Sequence, residues 1–211
     1  MTPALLVMTK APAPGRSKTR LTPPCTPEQA AGLARAALED TLASAAAARR
    51  PGRRLLVLDG DPGPWLPPGF DVVAQRGSGL AERLAAAFED VGGPAFLVGM
   101  DTPQVTPALL DAGLAALAGG ADAVFAEAPD GGYWAIGLRR PDPRVFDGIP
   151  MSAADTGLRQ RERLGELGLR VALLPALRDV DTMDDARAVA ASAPARRFAA
   201  ALLLVEAAVP V

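Results

Sequence analysis

Short apolar runs alternate with stretches of helical periodicity along the chain, and this alternation restricts the fold more than any other feature of its 211 residues. Ala4 to Met8, Arg54 to Leu58, Asp71 to Ala74, Ala95 to Val98, Ala121 to Ala126, Tyr133 to Leu138 and residues 170–174 read as strands. Between the first two, Ala30, Leu33, Ala34, Ala37, Leu38, Thr41 and Leu42 recur at the i, i+3, i+4 and i+7 spacing of one helix face. Thr26 is placed to cap that helix, with Pro27 at its first position and Glu28 in its first turn. Further helices are expected at Gly79 to Val91, from Thr106-Pro107 onward, and near residues 153–168, 183–192 and 195–207. Strands buried on both faces that alternate with helices predict a three-layer α/β/α sandwich around a mostly parallel sheet. With no internal repeat and no linker, one domain over residues 1–211 is expected.

Composition narrows the chemistry. There is no histidine, which excludes Ser-His-Asp and Cys-His catalysis and the usual zinc sites. Any metal is therefore held by oxygen, which favours Mg2+ or Mn2+. A net charge of -2 does not suit a general nucleic-acid binder. The single cysteine, Cys25, allows no internal disulfide, and no 20-residue apolar run is present to span a membrane. With no basic segment and cleavage site before Ala4, a cytoplasmic location is the default expectation. The apolar stretch Phe198 to Val205 reads as a core-packing helix, with a homodimer contact as a second reading.

Four segments can carry chemistry. Thr9 to Leu21 follows the first strand and holds Lys10, Gly15, Arg16, Lys18 and Arg20 without one acid. Open α/β sheets bind ligands at such strand ends, and a glycine with charge-assisted donors suits a polyphosphate. The spacing is not that of a Walker A loop, and a solvated basic turn is the plain alternative. Asp101 follows the strand ending at Val98 and can bind a phosphate-bridging metal or simply cap a turn. In Asp179-Val180-Asp181-Thr182-Met183-Asp184-Asp185, alternation puts Asp179 and Asp181 on one side, and Thr182 is placed to cap the next helix. Asp181 is the better ligand candidate of that segment. Asp130-Gly131-Gly132-Tyr133 lets a ligand approach the backbone closely, although Asp-Gly is also an ordinary hairpin turn.

In this order the segments resemble the GT-A superfamily of glycosyltransferases and nucleotidyltransferases. More narrowly, Lys10-Ala-Pro-x-x-Gly-Arg-x-Lys-Thr-Arg-Leu21 and Asp130-Gly-Gly-Tyr-Trp-Ala-Ile-Gly-Leu138 resemble the rSAM/selenodomain-associated transferase 1 family. The resemblance implies a GT-A fold in which Lys10, Gly15, Arg16 and Lys18 clasp nucleotide phosphates. Gln75, Gly77 and Gly79 would lie in the base-reading segment. Asp101 would bind Mg2+ or Mn2+, with Asp181 completing its coordination. Asp130, Gly131, Gly132 and Tyr133 would line the acceptor pocket with Ser152 and Asp155, and Asp130 or Asp155 would serve as a base. The implied partners are a nucleotide or nucleotide-sugar and a small-molecule acceptor. Two departures stand out: Gly79-Leu80-Ala81-Glu82-Arg83 replaces an Asp-Leu-Gly-Glu-Arg run, and Met151 replaces a tryptophan. Lys10 to Leu21 also resembles the phospholactate guanylyltransferases, so transfer of a nucleotidyl group to a phosphorylated small molecule is the alternative activity. A non-catalytic nucleotide-binding module is the third reading.

Overall fold

A computed structural model describes residues 1–208. Seven strands form one sheet: β1 (Ala4–Lys10), β2 (Arg54–Asp59), β3 (Asp71–Ala74), β4 (Ala95–Gly99), β5 (Ala123–Glu127), β6 (Tyr133–Leu138) and β7 (Val171–Leu173). Their spatial order is β3-β2-β1-β4-β6-β5-β7. All pairings are parallel except those of β6, which runs antiparallel to both β4 and β5. The expected mostly parallel α/β/α sandwich is the fold observed.

Strand periodicity assigns the two faces. Leu5 and Val7 point into a core with Leu56, Phe96 and Val98, covered by α1 (Pro27–Ala47) and α3 (Pro107–Ala118). Leu6 and Met8 point the other way, into a core with Leu55, Val57 and Leu97, covered by α2 (Leu80–Val91) and α4 (Thr156–Glu166). Both faces of β1 are buried, which is why its sequence is apolar without alternation.

The α1 helix is buried nearly all round, because it has neighbours on two sides. Ala34, Leu38 and Leu42 face the sheet, while Ala30, Leu33 and Ala37 meet α5 (Met183–Ser192) and α6 (Arg197–Ala208). Thr26 caps α1 as its sequence implies, in a reciprocal box with Gln29. Phe198, Ala199, Leu202 and Val205 of α6 are buried, whereas Leu203 and Leu204 are exposed. The buried Asp40 of α1 accepts hydrogen bonds from the Arg197 and Phe198 amides at 3.2 and 2.9 Å, satisfying donors at the α6 N-terminus. No helix among the described residues is long and apolar enough to cross a membrane.

The order of connections positions the site. From β1 the chain passes outward to β2, and the return strand β4 lies on the other side of β1. The segments that follow β1 and β4 meet at the carboxyl ends of these two strands, and a crevice opens there.

Candidate functional site

The crevice has a volume of about 1020 Å3. One rim is the segment after β1. Arg16, Ser17 and Lys18 line it, and Lys18 has a left-handed backbone (φ 50°), which disfavours a residue with a Cβ. What holds Lys18 there is a set of oxygens. Its Nζ lies 2.5 Å from Asp101 Oδ1, donates to the Val180 carbonyl and lies 4.0 Å from Asp181 Oδ1. The Lys18 side chain is only 7% exposed, so these oxygens stand in for the water its ammonium has lost. Arg20 reaches Asp181 Oδ2 at 2.7 Å from the solvent side.

The opposite rim is acidic. Val180 is fully buried against α1, α5 and α6, and its amide donates to the Asp101 carbonyl at 2.9 Å. That apolar anchor, flanked at period two, aims Asp179 and Asp181 into the crevice together. Asp130 arrives from the β5–β6 turn, and the carboxylate oxygens of Asp130, Asp179 and Asp181 lie within 4.8 Å of one another. Burial, with Asp130, Asp181 and Asp101 nearby, pushes the Asp179 carboxyl up to about 6. Asp130 and Asp179 have no ion pair among the described residues. Three oxygen donors so placed, carrying mutually repelling charge, match the ligand preference of Mg2+ or Mn2+. Next to Asp101, the buried Thr102 hydroxyl lines the crevice without a hydrogen-bond partner among the described residues.

The Asp130 turn is set by backbone geometry. Asp130 Oδ1 accepts from the Gly132 amide at 2.9 Å, and Gly131 has φ +91°. A Cβ on Gly131 would overlap the Ala154 carbonyl oxygen, so the turn packs directly on the start of α4. The Gly157 amide closes this contact by donating to the Gly131 carbonyl at 2.7 Å. The turn is thus a hairpin connection and part of the crevice at once. Tyr133 follows it; burial raises its phenol, whose hydroxyl lies 3.4 Å from Gln160 Oε1.

At the β3 end, Gln75 is fixed by two carbonyls, donating to Thr9 O at 2.7 Å and Val57 O at 3.1 Å. Arg83 bridges Gln75 Oε1 and Asp59 Oδ2 at 3.2 and 3.1 Å. Gly77 has φ +123°, and a Cβ there would meet Glu82 and Arg83, so it shapes the entry to α2.

The structure brings most of the sequence-derived candidates together. Lys10, Arg16, Lys18, Gln75, Gly79, Asp101, Asp130, Gly132, Tyr133, Ser152 and Asp181 line the crevice. Gly15, Gly77, Gly131 and Asp155 do not; the first three hold turns at positive φ, and Asp155 precedes α4 and pairs with Arg159 at 2.6 Å. Asp101 and Asp181 both reach the site, and the carboxylate oxygens of Asp130 and Asp179 lie within 4.8 Å of that of Asp181. Asp179 ranks below Asp181 in the sequence reading of their segment, and Arg83 is not a candidate there. The Asp-x-Asp alternation around Val180 was the available signal for Asp179. Nothing in the sequence links Arg83 to Asp59.

Residues 31–153 match the family model described as an uncharacterized protein conserved in bacteria (DUF2064). A crystal structure from Desulfovibrio desulfuricans, described as a candidate nucleotide-diphospho-sugar transferase, is 31% identical, with TM-score 0.85 over 98% of this chain and 96% of that one. The chain belongs to the DUF2064 family. The same fold recurs in more distant proteins. CMP:2-keto-3-deoxy-manno-octonic acid synthetase complexed with CTP superposes with TM-score 0.58 at 12% identity, covering 90% of this chain and 98% of that one. Rv0371c of Mycobacterium tuberculosis, in complex with manganese, superposes with TM-score 0.50 at 22% identity, covering 89% and 98%. No curated protein matches this DUF2064 sequence.

Proposed function

We propose that this DUF2064 protein is a single-domain, metal-dependent glycosyltransferase that takes a nucleotide-sugar donor and passes the sugar to a small-molecule hydroxyl. The narrower kinship with the rSAM/selenodomain-associated transferases belongs to the same proposal. The observation that carries it is the meeting of the cationic segment 16–20 with the Asp130, Asp179 and Asp181 cluster in a crevice at the ends of β1 and β4. A diphosphate with a divalent cation is the ligand that satisfies both rims together.

In this reading Asp179 and Asp181 hold Mg2+ or Mn2+, with Asp130 beside them and Asp101 available once Lys18 turns to the ligand. The cation would supply charge neutralisation to the departing diphosphate. Arg16 and Lys18 add donors to the same oxygens. The acceptor oxygen forms a bond to the sugar's anomeric carbon as the bond from that carbon to the diphosphate oxygen breaks, its electron pair leaving on the diphosphate. The acceptor proton passes to a carboxylate, and Asp130 is the one borne on the same turn as Tyr133. Gln75 and Gly79 lie where the nucleoside would rest, and Ser152 where the acceptor would.

The nearby nucleotidyltransferase folds keep the second reading open, transfer of a nucleotidyl group from a triphosphate. One measurement divides the two: thermal stabilisation by nucleotide-sugars and by triphosphates, with and without Mn2+. Stabilisation by a nucleoside diphosphate sugar that requires Mn2+, and its loss in Asp181→Asn, is the expected result. Equal stabilisation of Asp181→Asn and wild type would remove the metal assignment, and preference for a triphosphate would transfer the protein to the second reading.

A further inference from the structure

The crevice is chemically lopsided. Every basic side chain that lines it comes from residues 10–20 or is Arg83. Beyond residue 83 the described residues contribute acids to the lining, among them Asp101, Asp130, Asp179 and Asp181, and no lysine or arginine. Arg83 is itself committed, to Asp59, Gln75 and the Gly77 carbonyl. Arg159, the first basic residue of α4, is paired with Asp155 and does not line the crevice.

The end of the crevice between α2 and α4 is apolar instead. Met8, Leu84, Leu97, Tyr133 and Met151 line it, and all five belong to or pack against the core on the α2–α4 face. Met151 Sδ lies 4.0 Å from the Tyr133 hydroxyl, so the two side chains form one wall. A phosphate placed here would meet aliphatic and thioether groups and the Tyr133 ring, with no lysine or arginine of the described residues free to replace its hydration. An uncharged group would lose only water. We infer that this end receives an uncharged alcohol carrying an apolar or aromatic body, and that phosphorylated acceptors are rejected there. The inference rests on the reading that the cationic end takes the donor's diphosphate, and it specifies the acceptor class for that reading.

The test uses the full-length protein with Mg2+ and pyrophosphate to fill the cationic end, whose binding is followed separately by thermal shift. Saturation-transfer NMR then compares 2-phenylethanol with phenyl phosphate, and glycerol with glycerol 3-phosphate. The expected result is contact with 2-phenylethanol and at least about tenfold weaker contact with phenyl phosphate. Met151→Lys should reverse that order by placing an ammonium against the wall, while Met151→Leu should keep it. Phosphate esters that bind as well as their alcohols, or 2-phenylethanol that fails to bind wild type, would overturn the inference. A failure of pyrophosphate and nucleotides to stabilise the protein strikes the donor reading instead, because the alcohol comparison is repeated without them.

Discussion

The two rims of the crevice carry opposite charge, and they differ in whether the fold itself neutralises that charge. On the Lys18 side, an almost buried ammonium has Asp101, Asp181 and the Val180 carbonyl around it, so the fold itself satisfies it. On the Asp130 side, Asp181 is paired with Arg20, whereas Asp130 and Asp179 have no ion pair among the described residues, and Asp179 is pushed up to about 6 by burial and its neighbours. The first arrangement contributes to folding; the second opposes it in the absence of a cation. Stored repulsion of this kind marks a ligand site more firmly than a list of charged residues does.

Lys18→Met is the strongest test of that contrast. The ammonium and a divalent cation compete for Asp101 and Asp181, so the variant should bind Mn2+ alone more tightly by calorimetry. It should also lose a donor to the diphosphate, with turnover falling by about 10²–10³. Weaker Mn2+ binding in Lys18→Met would mean that the lysine assists the cation and does not stand in for it.

Asp40 provides a scale for a carboxylate that the fold fully satisfies. It is buried and accepts from two backbone amides at the start of α6. Asp40→Ala should lower unfolding stability by about 2 kcal/mol in urea denaturation, since a cap and two hydrogen bonds to a charged group are removed. Nucleotide binding should persist in the folded fraction.

The smallest effects are the most discriminating, because one kind of substitution should act with opposite sign on the two rims. Asp101→Asn deprives Lys18 of its nearest anion and should destabilise the metal-free protein by about 1 kcal/mol, discounted because Asp101 is half exposed. Asp130→Asn keeps the oxygen that accepts from Gly132 and removes a like charge beside Asp179, so it should stabilise the metal-free protein by less than about 1 kcal/mol. The pH profile follows from the direction of the Asp179 shift. Its folded carboxyl holds a proton more firmly than the unfolded one, so the associated stability is complete below about pH 4 and disappears as pH rises through about 6. Melting temperatures in a chelator from pH 4 to 8 should show this decline in wild type and a shallower one in Asp130→Asn. Equal slopes would mean that Asp130 does not load Asp179.

Local features of the molecule were legible before its shape was. Thr26, Thr106 and Thr182 cap α1, α3 and α5 as their sequence contexts imply, because a cap depends on residues within one turn. The strand runs were legible for a similar reason: burial on both faces writes itself as an unbroken apolar string. Boundaries were less so. The helix expected near 153–168 occupies Thr156–Glu166, since Ser152 to Asp155 form the turn that faces the Asp130 hairpin. The strand expected from Ala121 starts at Ala123, where pairing with Leu138 begins.

By itself, then, the sequence determined an α/β chain with a basic strand-end loop, several strand-end acids and oxygen as the only plausible metal ligand, all of which follow from composition and short-range periodicity. The tertiary structure alone decided which charges meet. Lys18 and Val180 are 162 positions apart, and they touch because parallel pairing aligns the strand ends along one edge of the sheet. Asp130 joins Asp179 and Asp181 because a turn with glycine at positive φ packs on α4 while Val180 is anchored in the core. Such proximity is set by register and packing, which no window along the chain contains.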